Sequence, residues 1–364
     1  MVKTLSPALA KPRATKLPTL AARRSTDRTS IRAVAIGGGT GLSTLLRGLR
    51  RFVSSPHQSP EECEAAPCLI SDLAAVVTVT DDGGSSGRLR RGFNMLPPGD
   101  LRNCMVALSE DEHLLSRLFR HRFTAGEGLE GHSFGNLFVA ALVEITGDFA
   151  QAIKLSSQVL ATRGHIYPVT NANVSLSARM DDGSVVSGET NITASRQRIV
   201  ELMLEPADAE PIPETLEAIE RADLITVGPG SLFTSLITNL LVKDVSEALA
   251  SSKAVRVYVC NLMTQSNESL NLTASQHIER IYAHTHLPIF DYALVNTAPV
   301  SQVLLDRYAG EGASPITADI EAIEALGVRC IAGDFTAEGD VVRHAADRVA
   351  EAVLRLGISG KGRG

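Results

Sequence analysis

The sequence predicts an α/β fold on a mainly parallel sheet, with a helical insertion at about residues 83–165 and a β-hairpin at about 170–204. Three observations lead there. Short apolar runs suited to buried strands recur, several followed at once by a small-residue turn and then by apolar residues at helical spacing. Two of those turns are glycine-rich, Gly37-Gly38-Gly39-Thr40-Gly41 and Gly228-Pro229-Gly230-Ser231. The chain, 364 residues and 44% hydrophobic, is long enough to bury a large core. The reading places one α/β domain over 31–358, between a disordered basic tail at 1–30 and a short tail at 359–364.

Composition narrows the function classes. No apolar run is long enough to cross a bilayer. Trp is absent and aromatics make up 4%, which argues against a base-stacking surface for single-stranded nucleic acid. Residues 1–32 hold eight Lys/Arg and one acid, Asp27, yet the whole chain is net −6, so the body is strongly acidic. Such a body disfavours a nucleic-acid partner. An Arg-rich, acid-poor start also describes an organelle transit peptide, but a disordered extension is the plainer reading. Five cysteines (Cys63, Cys68, Cys104, Cys260 and Cys330), without CxxC spacing, are read as reduced thiols in a cytosolic protein.

The first strand, Val34-Ala35-Ile36, runs into Gly37-Gly38-Gly39-Thr40-Gly41, and Leu42, Leu45, Leu46 and Leu49 then mark a helix. A helix start offers unpaired N–H groups and a positive dipole end, and glycines let an anionic group approach the backbone. No Gly-Lys-Ser/Thr follows, so this is no Walker A loop, and Leu42 or Thr44 stands where the dinucleotide fingerprint needs a small residue. The glycines alone equally describe a tight turn without a ligand.

A second strand is expected over 73–80, ending on Asp81-Asp82-Gly83-Gly84-Ser85-Ser86-Gly87-Arg88-Leu89-Arg90-Arg91. Asp81 and Asp82 at a strand's end suit a ribose or a metal-bound phosphate, and arginines pair bidentately with phosphate oxygens. Turn capping and solvated arginines are the alternative. Asp100 is expected to cap a helix over 101–108, with another over 112–122 and a flexible loop over 126–131. Ser133 then caps a helix to Glu144 whose apolar face is Leu137, Phe138, Ala141 and Leu142, with His132 and Asn136 at its start, where an anion also fits. A further helix is expected over 148–160.

The period then changes to two. Residues 174–180 and 185–190 alternate around Asp181-Asp182-Gly183-Ser184, a hairpin to which 198–204 adds a strand, read as an edge extension of the sheet without chemistry. Strand–loop–helix units return at 223–227 with the turn Gly228-Pro229-Gly230-Ser231 and a helix over 232–241. Strands follow at 255–259, leading into Asn261-Leu262-Met263-Thr264-Gln265, and at 292–295, ending on Asn296-Thr297-Ala298. A helix over 273–284, a late strand over 328–331 and a closing helix over 341–356 complete the chain. His277, His284 and His286 are read as surface residues and not metal ligands. Five small or polar loops thus gather at one sheet edge, where an open parallel sheet binds its ligands. No Ser–His or Cys–His nucleophile pair is evident, which favours binding over turnover.

The segments IGGGTGLSTLLRGLR, VTVTDDGGSSGRLRR, LPPGDLRNCMVALS, GHSFGNLFVAAL, GPGSLFTSLITNLLV, VCNLMTQ and DYALVNTAP, in this order, resemble the YvcK/CofD-like family of gluconeogenesis factors and 2-phospho-L-lactate transferases. GGSSGRLR and NLMTQ resemble the gluconeogenesis-factor branch more. The resemblance implies a Rossmann-like three-layer sandwich that binds a nucleotide diphosphate at the strand ends. It implies a cytoplasmic protein that binds UDP-sugars such as UDP-N-acetylglucosamine and supports cell shape and wall synthesis on gluconeogenic carbon sources. The transferase branch implies magnesium and a phospholactyl transfer to a deazaflavin, with Asp82 or Asp81 at the position that contacts the acceptor and as the candidate magnesium ligands.

Candidate ligands are therefore a UDP-sugar, NAD or GDP. Their expected contacts are Gly37, Gly38, Gly39, Thr40, Gly41, Ser85, Ser86, Arg88, His132, Asn136, Gly228, Gly230, Ser231, Asn261, Thr264, Asn296 and Arg307. Many gluconeogenesis factors carry a sugar-nucleotide-contacting Tyr before Thr-Ala-Ser; here that position is Leu272. A homo-oligomer is left open, and the regulatory protein partner is unidentified.

Overall fold

The computed structural model describes residues 30–54, 68–110, 114–195, 197–266 and 268–361. The strands are β1 (Ile31–Gly37), β2 (Ile70–Val77), β3 (His165–Pro168), β4 (Ser175–Met180), β5 (Val185–Ser187), β6 (Ile199–Glu205), β7 (Leu224–Val227), β8 (Val255–Val259), β9 (Tyr292–Asn296), β10 (Arg329–Gly333), β11 (Thr336–Glu338) and β12 (Val342–His344). Seven form one sheet in the order β10-β9-β8-β7-β1-β2-β3, and every pairing in it is parallel. Its central strands are apolar and buried on both faces, as a parallel sheet covered by helices requires. From β1 the chain moves outward to β2 and β3; from β7 it moves the other way, to β8, β9 and β10. The order reverses between β1 and β7, and there a crevice opens at the strands' C-terminal ends.

Helix α1 (Gly39–Arg50) follows β1 and buries Leu42, Leu45, Leu46 and Leu49. It packs on the final helix, Ala346–Lys361, so closely that a Cβ on Gly48 would sit 2.2 Å from the Ala346 carbonyl oxygen. Between β2 and β3 run α2 (Gly84–Phe93), α3 (Gly99–Leu108), α4 (Leu114–Arg120), α5 (Phe134–Thr146) and α6 (Phe149–Val159). Ser133 and Asp148 cap α5 and α6 through their side chains, as their residue types predict.

Several expectations are corrected. The hairpin does not extend the main sheet: β5-β4-β6 is a separate antiparallel sheet, and a short helix α7 (Glu189–Ala194) lies between β5 and β6. Asp100 is no N-cap but stands in the first turn of α3, its carboxylate drawn to Gly39 N–H. The buried face of α5 is Gly135, Asn136, Val139 and Ala140; Leu137, Phe138 and Leu142 are half-buried and Ala141 exposed, because the helix is apolar nearly all round and periodicity could not select a face. The expected closing helix begins late, since β12 occupies 342–344 and pairs with β11. His277 is fully buried, its Nδ1 2.9 Å from the Tyr258 hydroxyl, and His284 Nε2 accepts from Leu202 N–H at 2.9 Å; only His286 is exposed. Cys68 is disulfide-bonded, which an odd cysteine count could not reveal. Cys104, Cys260 and Cys330 are free and buried, and Cys63 lies outside the described residues.

Candidate functional site

The crevice between β1 and β7 widens into a cleft of about 500 Å³. One wall is Gly38, Gly39, Thr40 and Gly41; the facing wall is Pro229, Gly230 and Ser231; Asn261, Thr264 and Gln265 close one end. The two glycine turns touch. A Cβ on Gly41 would lie 2.5 Å from the Pro229 carbonyl oxygen, and one on Gly38 would lie 2.7 Å from Thr78 Cγ2 and 2.8 Å from Asp100 Oδ2. Gly228 stands just beneath, at φ 87°, against the Val259 carbonyl.

Some of the expected phosphate donors are already used. Asp100 Oδ2 accepts from Gly39 N–H at 2.8 Å, leaving Thr40 and Gly41 as the open positions in the first turn of α1. Asn261 donates to the Gly230 carbonyl at 2.7 Å and accepts from Gly230 N–H at 3.1 Å, so it fixes the second turn and takes up that amide. Thr264 is likewise paired with Ser314, from backbone to backbone and from Ser314 N–H to the Thr264 hydroxyl. Gln265 Nε2 donates to Ser231 Oγ at 2.9 Å, which leaves the Ser231 hydroxyl hydrogen to donate into the cleft. Below, Glu268 is buried and accepts from Thr234 N–H in the π-helical turn Leu232–Ile237.

On the same side the lining is less polar, with Leu262, Met263, Tyr308 and Val342 beside Glu311 and His344. His344 Nε2 lies 3.0 Å from the Cys260 carbonyl oxygen, which can only accept. The Nε2 nitrogen therefore carries the proton. Burial pushes the imidazole pKa down to about 4, so the ring is neutral and Nδ1 keeps its lone pair. Sequence reasoning missed Tyr308 and His344, although Tyr308 stands beside the predicted Arg307.

Beside the glycine turn is an acidic wall. Burial pushes the Asp100 carboxyl up to about 6, against the Gly39 N–H that lowers it. Burial pushes Glu189 further, to about 8, against a hydrogen bond of 2.9 Å from the Thr80 hydroxyl. At neutral pH Glu189 therefore holds its proton and Asp100 is mostly ionised. Asp81 faces both, its Oδ1 accepting from Gly83 N–H at 2.9 Å and its Oδ2 near Gly99 and Ser86. Asp82 has different work: it accepts from Thr190 N–H and hydroxyl at 2.9 and 2.5 Å, fixing the start of α7. Asp81 and Asp82 thus answer to different partners. Among the described residues no group of three or more His, Cys, Asp or Glu side chains is arranged to hold a metal. The hairpin read as free of chemistry supplies Glu189, which only tertiary packing brings to Asp81.

The remaining predicted residues lie outside the cleft lining. Ser85, His132 and Asn136 join α2 to α5, with Ser85 Oγ 3.0 Å from His132 Nδ1 and 3.1 Å from Asn136 Nδ2. This is a Ser–His pair that the sequence reading found absent, since 47 positions separate its members. Burial first, then Arg88 and Arg122, lowers the His132 pKa. Ser86 is buried below Gly99. Arg88 donates to the Glu130 carbonyl at 2.8 Å. Asn296 donates to the Ala298 carbonyl and accepts from Phe335 N–H, fastening two loops to each other. Arg307 donates to the Asp340 carbonyl on the turn between β11 and β12. Leu272 is half-buried against the core, so the residue type there removes nothing from the cleft lining.

Comparison with known proteins agrees with this architecture. Residues 33–336 match the family described as 2-phospho-L-lactate transferase CofD. The gluconeogenesis factor of Halalkalibacterium halodurans is 47% identical over 322 residues, 88% of this chain and 95% of that protein. That of Bacillus subtilis is 44% identical over 321 residues, 88% of this chain and 96% of that protein. An X-ray structure of a Bacillus halodurans protein superposes with a TM-score of 0.83 at 45% identity, covering 90% of this chain and 100% of that one. With a Rossmann-like crevice between β1 and β7 and relatives of this closeness along nearly its whole described length, the chain belongs to the YvcK/CofD-like family, beside proteins named gluconeogenesis factor.

Proposed function

We propose that this chain is a cytoplasmic gluconeogenesis factor that binds a nucleotide diphosphate sugar of the UDP-N-acetylglucosamine kind in the cleft, in support of cell-wall growth and cell shape. The contact between Gly41 and the Pro229 carbonyl carries the reading, because it brings two helix-opening turns together on one crevice. The diphosphate takes Thr40, Gly41 and Ser231; the base takes the apolar lining of Leu262, Met263 and Tyr308, where neutral His344 offers an acceptor. Calorimetry and thermal melts with UDP-N-acetylglucosamine, UDP, NAD and GDP test it. A ligand at a hundred times its Kd stabilises by about 2.7 kcal/mol. UDP-N-acetylglucosamine is expected to raise the Tm, and Tyr308→Ala and Ser231→Asp to abolish most of the rise. A flat response to all four would overturn the reading.

A transferase reading rests on Glu189 and Asp100. A carboxylic acid that keeps its proton at neutral pH beside an ionised carboxylate is the pairing that general acid–base chemistry uses. Incubation with a nucleoside-diphospho-lactate, a deazaflavin acceptor and magnesium separates the two. Product that is lost in Glu189→Gln, with nucleotide binding kept, supports transfer; no product leaves the binding function alone.

A further inference from the structure

On the side of α3 away from the cleft, the helical insertion buries an arginine with no hydrogen-bonded counter-ion among the described residues. Arg102 is 8% exposed, and its Nε has no partner among the described residues. Its stem passes under the first turn of α5: a Cβ on Gly135 would lie 2.8 and 2.9 Å from Arg102 Cγ and Cδ. Gly135 is therefore required for room, and the arginine meets the positive dipole end of a 13-residue helix. The charges around it make matters worse. Arg122 and Arg120 both act on its guanidinium, and the nearby acid, Asp100, is committed to Gly39 N–H. A buried charge in such company is among the most costly features a fold can keep.

We propose that Arg102 marks a phosphate site, binding side-on through Nε and Nη, with Arg120, Arg122 and the dipole of α5 contributing; the Phe134 and Asn136 N–H groups are taken by the His121 carbonyl and the Ser133 cap, and Arg122 also donates to the Gly131 carbonyl. Phosphate fits better than carboxylate because three guanidinium groups and a helix dipole call for more than one negative charge. The site is independent of the nucleotide cleft: Asp100 and Arg102 leave α3 towards different neighbours, Gly39 and Gly135.

The test is a titration of the full chain with inorganic phosphate and with a small phosphomonoester, followed by calorimetry and by the Tm. Tighter binding of the monoester points to a phosphorylated metabolite, and tighter binding of phosphate to the free ion; both support a phosphate site. Arg102→Leu is expected to melt no lower than the wild type without ligand, since it removes an uncompensated charge, and to lose roughly tenfold or more in phosphate affinity. Arg120→Glu, an exposed change, keeps the question answerable if Arg102→Leu misfolds, and is expected to weaken binding several-fold. Ser231→Asp puts a carboxylate into the cleft and should leave this phosphate binding unchanged. No binding to the wild type at millimolar phosphate overturns the proposal. So does binding that is lost in Ser231→Asp and kept in the Arg102 and Arg120 variants.

Discussion

Around the cleft, the contacts that join the two turns to their neighbours run largely through backbone: Gly41 meets the Pro229 carbonyl, Gly228 meets the Val259 carbonyl, and Asn261 bonds both the N–H and the carbonyl of Gly230. In the helical insertion they are made by side chains, where Ser85, His132 and Asn136 tie α2 to α5 and Arg102 lies under Gly135. The difference matters for function. A backbone wall has a fixed shape and offers similar donors whatever residues surround it, which suits a diphosphate. A side-chain network can be retuned by single substitutions.

The largest effect is expected at Gly41. In Gly41→Val, the Cβ 2.5 Å from the Pro229 oxygen forces the two turns apart, at a cost of about 3 kcal/mol and with loss of nucleotide binding. Gly39→Ala is the control. It has nothing within 4 Å but sits at φ +62°, so it should cost only about 1 kcal/mol, from backbone strain. Urea midpoints for both variants measure this; a Gly41→Val as stable as the wild type would mean that the turns do not depend on each other.

Ser85→Ala probes the other region. It leaves His132 Nδ1 and Asn136 Nδ2 without their shared partner in a buried site, and a loss of about 2 kcal/mol is expected in the same urea series. Nucleotide affinity of the folded protein should not change. If it falls as far as in Gly41→Val, the two regions form a single site and the contrast between them fails.

The acidic wall between the regions predicts a pH dependence. The Glu189 carboxyl is raised from 4.5 to about 8 in the folded protein, so between those values the native state holds a proton that the unfolded chain releases. Stability therefore falls as pH rises through that window. Asp100, raised from 3.8 to about 6, adds to the fall in its lower part. Buried His344 and His277, both lowered to about 4, pull the other way below the ordinary histidine range, so thermal melts from pH 6.5 to 8.5 should show the decline, and Glu189→Gln should flatten it.

How much of this was legible follows the same division. The strand-and-turn units at Ile31–Gly37, Leu224–Val227 and Val255–Val259 were readable because apolar runs and glycine turns are local signals, and their convergence follows from parallel topology alone. The network was not. His132 is 47 positions from Ser85, and Glu189 is 109 from Thr80, in a hairpin whose alternation announces strands and hides the short helix that carries the acid. Asn296 was not legible for another reason: an asparagine at a strand end looks the same whether it binds a ligand or fastens neighbouring loops, and here Phe335 N–H takes its oxygen.

The smallest effect separates two neighbours. Arg307 is exposed and donates to the Asp340 carbonyl at the tip of the β11–β12 turn, so Arg307→Ala should shift stability by less than about 0.5 kcal/mol and leave nucleotide affinity unchanged. Tyr308 faces the other way, lines the cleft, and accepts from Val342 N–H at 3.2 Å. Tyr308→Phe keeps the ring but releases that turn from the cleft rim, and a several-fold loss of affinity with little loss of stability is expected. The pair is a one-residue test of helix phase: a loss in Arg307→Ala with none in Tyr308→Phe would put the sugar nucleotide outside the cleft, on the face where Arg307 meets the turn.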